Sequence, residues 1–437
     1  MTTPARLPPG GRAQTSRQVL WSLAPSVYAP TLLEFAGLAA LMPVIPLLAL
    51  DLGFAAWQAA ALTTVFGLTS FLGPIPAGRF ISRVGARRAL VSTGVLLVLS
   101  NLVAFVVLTP GVHGSPGLRH QLTFLGLLLV MAISTQVWQL GRQAYLGTAL
   151  PPTMRARGMT MFGGVIRLGE VIGPLLGALV MALGSDTGVF ILFAVTAAAG
   201  TVMIAIFLPP GESRPTPRRP RGERIPRSMA RSRLDRAVLS RMAMVGLGIA
   251  PVMMARVNRP VIVPLLGASL GLDSVWISLV FGVCAALEIL LVIPAGTLMD
   301  RYGRAAVAVP CALLMGAGFI LLAILGTTLA GHGTTLAVVA LLVPSLLIGL
   351  GNGMGAGIVM TLGIDVSPVH DRTRYLAWWN TMLGSGRLAA PLVVTAIALV
   401  APIALAGAAT GGLCLAGGIW LARTLPRVTP SGSTRKR

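Results

Sequence analysis

Acidic side chains are scarce in this chain, with 12 Asp and Glu against 34 Lys and Arg in 437 residues, and all charged residues together make up 11%. A soluble domain carries roughly 25%, so a water-facing globular surface is excluded and a bilayer is the expected solvent. Cysteine is nearly missing too. Cys284, Cys311 and Cys414 all fall inside apolar runs, which argues against a disulfide framework or a metal site and for packing. All four histidines fall in expected loops, and there is no phosphate-binding loop and no His/Cys/acid cluster. The chain therefore offers no enzyme chemistry and no cofactor site, and any work it does is expected to use a gradient rather than ATP. A cleavable leader is not expected either, because the first apolar run is long enough to cross a membrane.

Long apolar runs dominate instead, with 55% hydrophobic residues and a mean hydropathy of +0.84. They predict an all-α membrane protein of twelve spans, near 22–50, 57–80, 88–110, 119–149, 158–182, 188–208, 239–268, 274–298, 305–329, 334–363, 375–400 and 402–423. Most exceed the roughly 20 residues needed to cross, so tilt is expected. The spans group into two six-helix halves, 22–208 and 239–424, with tails at 1–21 and 425–437. A basic, Pro-rich linker at 209–238 joins the halves, and six prolines, from Pro209 to Pro226, forbid a continuous helix at its start. From Ser228 it reads either as a basic amphipathic helix on the membrane surface or as a solvated linker.

The formal charge of +22 does not point to nucleic acid, because the arginines sit in short turns between apolar runs. Arg6, Arg12 and Arg17, then Arg79, Arg83, Arg87 and Arg88, then Arg155 and Arg157 share one side of the membrane. Arg301, Arg304, Arg372, Arg374 and the tail Arg435–Arg437 join them, while the opposite loops carry Asp51, Asp186 and Asp273 with only Arg119 as a base. The basic side is expected to be cytoplasmic, with both termini there and membrane lipids as neighbours.

The chain repeats itself. IPAGRFISRVGARR at 75–88 and IPAGTLMDRYGRAA at 293–306 share Ile75/Ile293, Pro76/Pro294, Ala77/Ala295, Gly78/Gly296, Arg83/Arg301 and Gly85/Gly303. Each copy lies between two apolar runs, as a short basic turn would. VIPLLALDLG at 44–53 is echoed by IVPLLGASLG at 262–271, and Arg157 and Pro174 by Arg374 and Pro391. The copies differ in charge. Asp300, Arg304 and Asp365 form an acid–base set in the second half, whereas Ser82 and Thr148 occupy the acid positions of the first.

The run Gly296, Leu298, Asp300, Arg301, Gly303, Arg304 resembles the signature loop of the major facilitator superfamily, which joins its helices 2 and 3 and, in weaker form, 8 and 9. Gly169, Gly173, Pro174 and Gly177 in span 5 resemble that family's antiporter motif. LEFAGLAALMPVIP at 33–46 is similar to the first span of tetracycline-type drug/proton antiporters, with Glu34 at the acid position and Pro43 and Pro46 matching. The glycine-rich span 10, at 349–368, is similar to actinobacterial members, so a bacterial plasma membrane is the implied location. In the resembled fold, spans 1, 4, 7 and 10 line a cavity and spans 2, 5, 8 and 11 form the interface between halves.

The charges inside the spans are the most informative residues, since each is costly unless it faces protein or water. They are Glu34, Glu170 and Glu288, with Arg142, Arg167, Arg256, Arg259 and Arg387. Glu34 is the expected proton-carrying site, about 18 Å into span 1, balanced between desolvation and an arginine of span 7, Arg256 or Arg259. As a carrier site, Glu34→Gln would fold and exchange substrate without accumulating it. Glu288 and Arg167 lie at matching depths of about 14 Å and are expected to pair across the interface. Glu170 and Arg387 occupy equivalent repeat positions, as interface residues would. Gln136, Gln139, Asn352 and Trp379 are candidates for substrate contact, although helix packing explains each of them as well.

The resemblance implies a monomeric proton-coupled exporter of small amphipathic molecules, a multidrug efflux antiporter working by alternating access. An organic-anion or sugar carrier is the alternative, because the intramembrane bases outnumber the acids five to three. A receptor on the same fold would more naturally carry an added soluble domain.

Overall fold

The computed structural model describes residues 21–150, 154–209, 235–355, 357–368 and 372–428. The tails, most of the linker and the first part of the expected surface helix lie outside the described residues, and the remainder of that stretch, from Arg236, is the start of α7. Among those described, eleven helices are long and apolar enough to cross a bilayer, and one bent pair supplies a twelfth. They are α1 (Ala24–Asp51), α2 (Ala56–Leu72 and Pro74–Val84), α3 (Ala86–His113), α4 (Leu118–Ala149), α5 (Arg155–Leu183) and α6 (Gly188–Phe207). The second half holds α7 (Arg236–Ser269), α8 (Ser274–Tyr302), α9 (Ala305–Thr328), α10 (Thr334–Met354 and Ile358–Val366), α11 (Arg372–Val400) and α12 (Ile403–Val428).

Proline and glycine break three of these helices. Span 2, read from sequence as one helix, bends by 59° between Leu72 and Pro74. Pro74 and Pro76 follow Gly73 there, and each removes an N–H from the ladder. The matching span α8 carries Pro294 alone and stays continuous to Tyr302. In α1, Pro43 and Pro46 separate helix Ala29–Leu41 from Ile45–Asp51, and the chain enters α1 through a π-turn at Ala24–Tyr28. In α10, the first helix stops at Met354 and the second starts at Ile358, across a glycine-rich link.

Both repeat turns end their helix on a left-handed glycine, Gly85 at φ +87° and Gly303 at φ +90°. A residue with a Cβ is strained there, which accounts for the coincidence of these glycines in the two copies. Span 7 starts at Arg236, earlier than the sequence suggests, because Asp235 caps it by accepting from Ala237 N–H at 2.9 Å. His113 and His120, read as loop residues, instead close α3 and open α4, and His120 Nδ1 accepts from Gly117 N–H at 3.1 Å.

Within each half the pairs α1–α5, α1–α6, α3–α6 and α3–α4 recur as α7–α11, α7–α12, α9–α12 and α9–α10. Gly169, Gly173 and Gly177 all face α1. A Cβ on Gly173 would stand 2.8 Å from Ala39 Cβ and 2.9 Å from Ala40 N, so only glycine allows this approach. Between halves, α5 packs on α8 and α2 on α11. On the face bearing the acidic loops, Ser274 Oγ donates to Asp186 Oδ1. Deeper, Gly282 of α8 lies against Leu175 of α5, and Gly67 of α2 lies against the backbone of Arg387.

Candidate functional site

The intramembrane charges fall into two sites. The first is sealed inside the first half. Glu34 and Arg142 form an ion pair with side chains 1% and 0% exposed. The Arg142 guanidinium also lies over the Trp138 ring, 5.1 Å from its centroid, and Trp138 Nε1 donates to Leu90 O at 2.8 Å. Arg142 Nε and Nη1 have no partner among the described residues.

This corrects two expectations. Glu34 pairs with α4 rather than with Arg256 or Arg259 of α7, and it does not line the cavity between halves. The reason is helical phase. Ala39, which does face that cavity, follows Glu34 by five residues and so points about 140° away round the helix.

The second site is a cavity of about 400 Å³ at the seam, walled by α1, α5, α7, α8, α10 and α11. Arg167, Arg256, Arg259 and Arg387 face it together with Glu170 and Glu288. Glu288 is the hub. Its Oε1 accepts from Arg259, its Oε2 accepts from Asn352 Nδ2 at 2.5 Å, and Arg167 Nη1 stands 3.7 Å from Oε2. The Arg167–Glu288 pairing across the interface is therefore present, with Arg259 as the closer partner. Arg167 also donates to Glu170 at 3.2 Å, and that carboxylate is 41% exposed.

Arg256 takes a different role. Its Nη2 donates to Gly355 O at 2.7 Å and Asn352 O at 3.4 Å, carbonyls freed where α10 breaks. Arg387 has no ion pair or hydrogen bond among the described residues, although it sits midway along α11. No motif foreshadowed Phe281, whose ring lies 5.2 Å from the Arg259 guanidinium. Its position seven residues before Glu288, on the same face of α8, is the signal that was available.

The other candidates are packing or bridging residues. Gln136 Nε2 donates to Ser70 Oγ at 2.8 Å, joining α4 to α2. Gln139 is half-buried on α4, and it is not among the residues lining the seam cavity. Trp379 is buried, lies against Gly363 and donates to Val359 O at 3.2 Å, so it ties α11 to the second piece of α10.

At the repeat turns, Arg304 binds Asp365 with Nε 2.6 Å from Oδ2. Asp300 is exposed and has no recorded partner among the described residues, so the expected three-membered set contracts to two. Arg301 lies over the neighbouring Tyr302 ring at 5.2 Å. In the first half, where the acids are absent, Arg87 donates to Ala205 O in the last turn of α6. The C-terminal carbonyls of a helix supply the negative end that a carboxylate supplies in the second half. Gly78 faces Leu140 of α4 at 3.8 Å, while nothing lies within 4 Å of a Cβ on Gly296. Arg83 is exposed.

Two six-helix halves meeting around a charged cavity, with broken helices beside it, define a helical secondary transporter rather than an enzyme. The chain belongs to the Major Facilitator Superfamily, whose profile matches residues 30–257 and 245–437. A search of curated proteins gives no match. Among solved structures, a POT family transporter in complex with 5-aminolevulinic acid superposes with a TM-score of 0.72 at 14% identity, over 94% of this chain and 96% of its own. A peptide transporter POT in complex with sulfate gives 0.69 at 15% identity, over 94% and 95%. A bacterial homologue of the iron transporter ferroportin in an inward-facing state gives 0.68 at 15% identity, over 95% and 100%. At these identities the likeness is one of fold. The tetracycline-type branch suggested by span 1 is not among these neighbours.

Proposed function

We propose that this chain is a proton-coupled carrier of small organic anions, working by alternating access around the seam cavity. One observation carries the reading: four arginines and two glutamates face that cavity. A cavity with excess positive charge attracts an anion and repels a cation, and its walls of low dielectric strengthen both effects. Glu170 is the coupling residue in this reading. It is half-exposed to the cavity and has Arg167 as its partner, whereas Glu288 is held by hydrogen bonds from Arg259 and Asn352. Protonating Glu170 releases Arg167 to Glu288 and changes the charge that a substrate meets. The basic face is cytoplasmic and the membrane is the plasma membrane of a bacterium.

The test is uptake into proteoliposomes of matched anionic, neutral and cationic solutes, with and without an imposed pH difference. Anions should accumulate only with the gradient. Transport of cations or neutral solutes in their place would overturn the reading.

Export of amphipathic compounds is the second reading. It is favoured by a cavity of about 520 Å³ at the bend of α2, lined by Leu68, Leu72, Phe80, Ile133 and Val137. The polar residues there are already bonded: Thr69 and Thr93 to carbonyls of their own helices, and Gln136 to Ser70. Efflux of a lipophilic dye that a pH gradient drives, and that Phe80→Ser weakens, would favour this reading over the first.

A further inference from the structure

Arg387 is the one seam-cavity arginine whose donors nothing among the described residues takes up. Arg167 and Arg259 share Glu288 and Arg256 holds the carbonyls at the break in α10. Arg387 lies 15 residues into α11, about 22 Å along the helix, too deep for lipid headgroups. A charge at that depth persists only where it faces water or a partner, and it marks function by default.

Arg387 also lines a second, polar cleft of about 270 Å³ between α2 and α11, beside Ser70, Phe71 and Asn380. There Ser70 Oγ accepts from Gln136, and Asn380 Nδ2 donates to Leu376 O at 2.9 Å. The Ser70 hydroxyl proton and the Asn380 side-chain oxygen remain for a ligand. Arg387 is thus the shared wall of two cavities, the seam cavity with its other arginines and glutamates and a polar cleft in which Arg387 is the one charged residue lining it.

We propose that Arg387 anchors the anionic group of the substrate, and that the uncharged polar part of the same molecule lies in the α2–α11 cleft. The substrate class is a hydroxylated or amide-bearing carboxylate of roughly sugar-acid size, a volume that drug-sized pockets of a few hundred cubic ångströms accommodate. The inference rests on the anion-carrier reading and deepens it by naming the anchor and the shape.

The experiment places a cysteine in the cleft as Ser70→Cys, against a background in which the native Cys284, Cys311 and Cys414 are all buried. Labelling is compared for a sulfonate-bearing and a trimethylammonium-bearing methanethiosulfonate. The anionic reagent should react faster by about tenfold, as a focused positive field would produce. Arg387→Gln should abolish the preference and Arg387→Lys should keep it. Gluconate should slow the labelling, its neutral counterpart glucitol should not, and in Arg387→Gln neither should. A reagent ratio that Arg387→Gln leaves unchanged would overturn the anchor, and so would equal protection by gluconate and glucitol. Intact gluconate protection without any pH-driven anion uptake would overturn the carrier reading and leave the anchor standing.

Discussion

Each half of the molecule buries one arginine–glutamate pair, and the two pairs are placed differently. Glu34–Arg142 is closed inside the first half, with both side chains buried. Arg259–Glu288 belongs to the second half but opens onto the seam, where Asn352 and Arg167 join it. The two halves share their helix packing and the glycine at each basic turn, whereas the charge pairs fall on non-equivalent helices, α1 and α4 in the first half and α7 and α8 in the second. A pair that faces its own bundle can only hold that bundle together. A pair that faces the seam changes its surroundings whenever the halves move.

The same contrast runs through α5 and α11. Gly173 is pressed against α1, while Ala390 stands at the equivalent position before Pro391, and nothing lies within 4 Å of a Cβ on Gly386. The first half spends its small residues on internal closeness. The second leaves room on α11 for Arg387 to face the cavities.

The sharpest way to break the comparison is to strand one charge. Glu34→Gln should leave Arg142 buried and unpaired, at a cost of about 3–5 kcal/mol, and folded protein should largely disappear in detergent melting. The double change Glu34→Leu with Arg142→Leu should recover most of the loss. Glu288→Gln should be milder, because Arg167 and Arg259 keep access to the cavity. If Glu34→Gln melts like the wild type, the pair does not hold α1 to α4.

Overpacking the glycine seam comes next. Gly173→Val should cost about 1–3 kcal/mol, whereas Gly386→Val should stay within about 0.5 kcal/mol, both read as shifts in melting temperature. Equal shifts would erase the difference between α5 and α11.

The couplings at Glu288 form the third comparison. Double-mutant cycles on stability should give a larger coupling for Arg259–Glu288 than for Arg167–Glu288. The latter, at 3.7 Å, belongs near the lower end of the roughly 0.5–3 kcal/mol range for interacting residues. Simple additivity for both would remove Glu288 as the hub.

The smallest effect concerns the basic turns. Ser82→Asp offers the first half a carboxylate it lacks, and Asp365→Asn removes one from the second. Each should change stability by about 0.5 kcal/mol, as partly exposed pairs do. Spin-label distances across the basic face should shift in opposite directions for the two variants. Unchanged distances for Ser82→Asp would mean that the Arg87–Ala205 cap already holds the turn.

Much of this architecture was legible in the residues. Apolar runs of twenty or more, the paired IPAG turns and the glycines at 85 and 303 have one physical reading each, because burial in lipid and left-handed backbone leave few alternatives. The bend in α2 was less legible. Pro294 and Pro76 occupy the same repeat position, and the bent copy carries Gly73 and Pro74 where the continuous helix has Leu291 and Val292. The expected partner of Glu34 was wrong because charge census and depth say how far along a helix a residue sits, while its partner depends on which way it points.

By itself the sequence determined the class, the duplication and the short set of intramembrane charges, since desolvation makes every such charge conspicuous whatever the fold. Tertiary structure alone decided which charges meet. Glu34 turned to α4, Glu288 gathered two donors and a neighbouring arginine at the seam, and Arg87 found a helix end where an acid was missing. Those outcomes depend on angles of about 100° per residue and on the approach of helices far apart in the chain, and neither is written in composition or spacing.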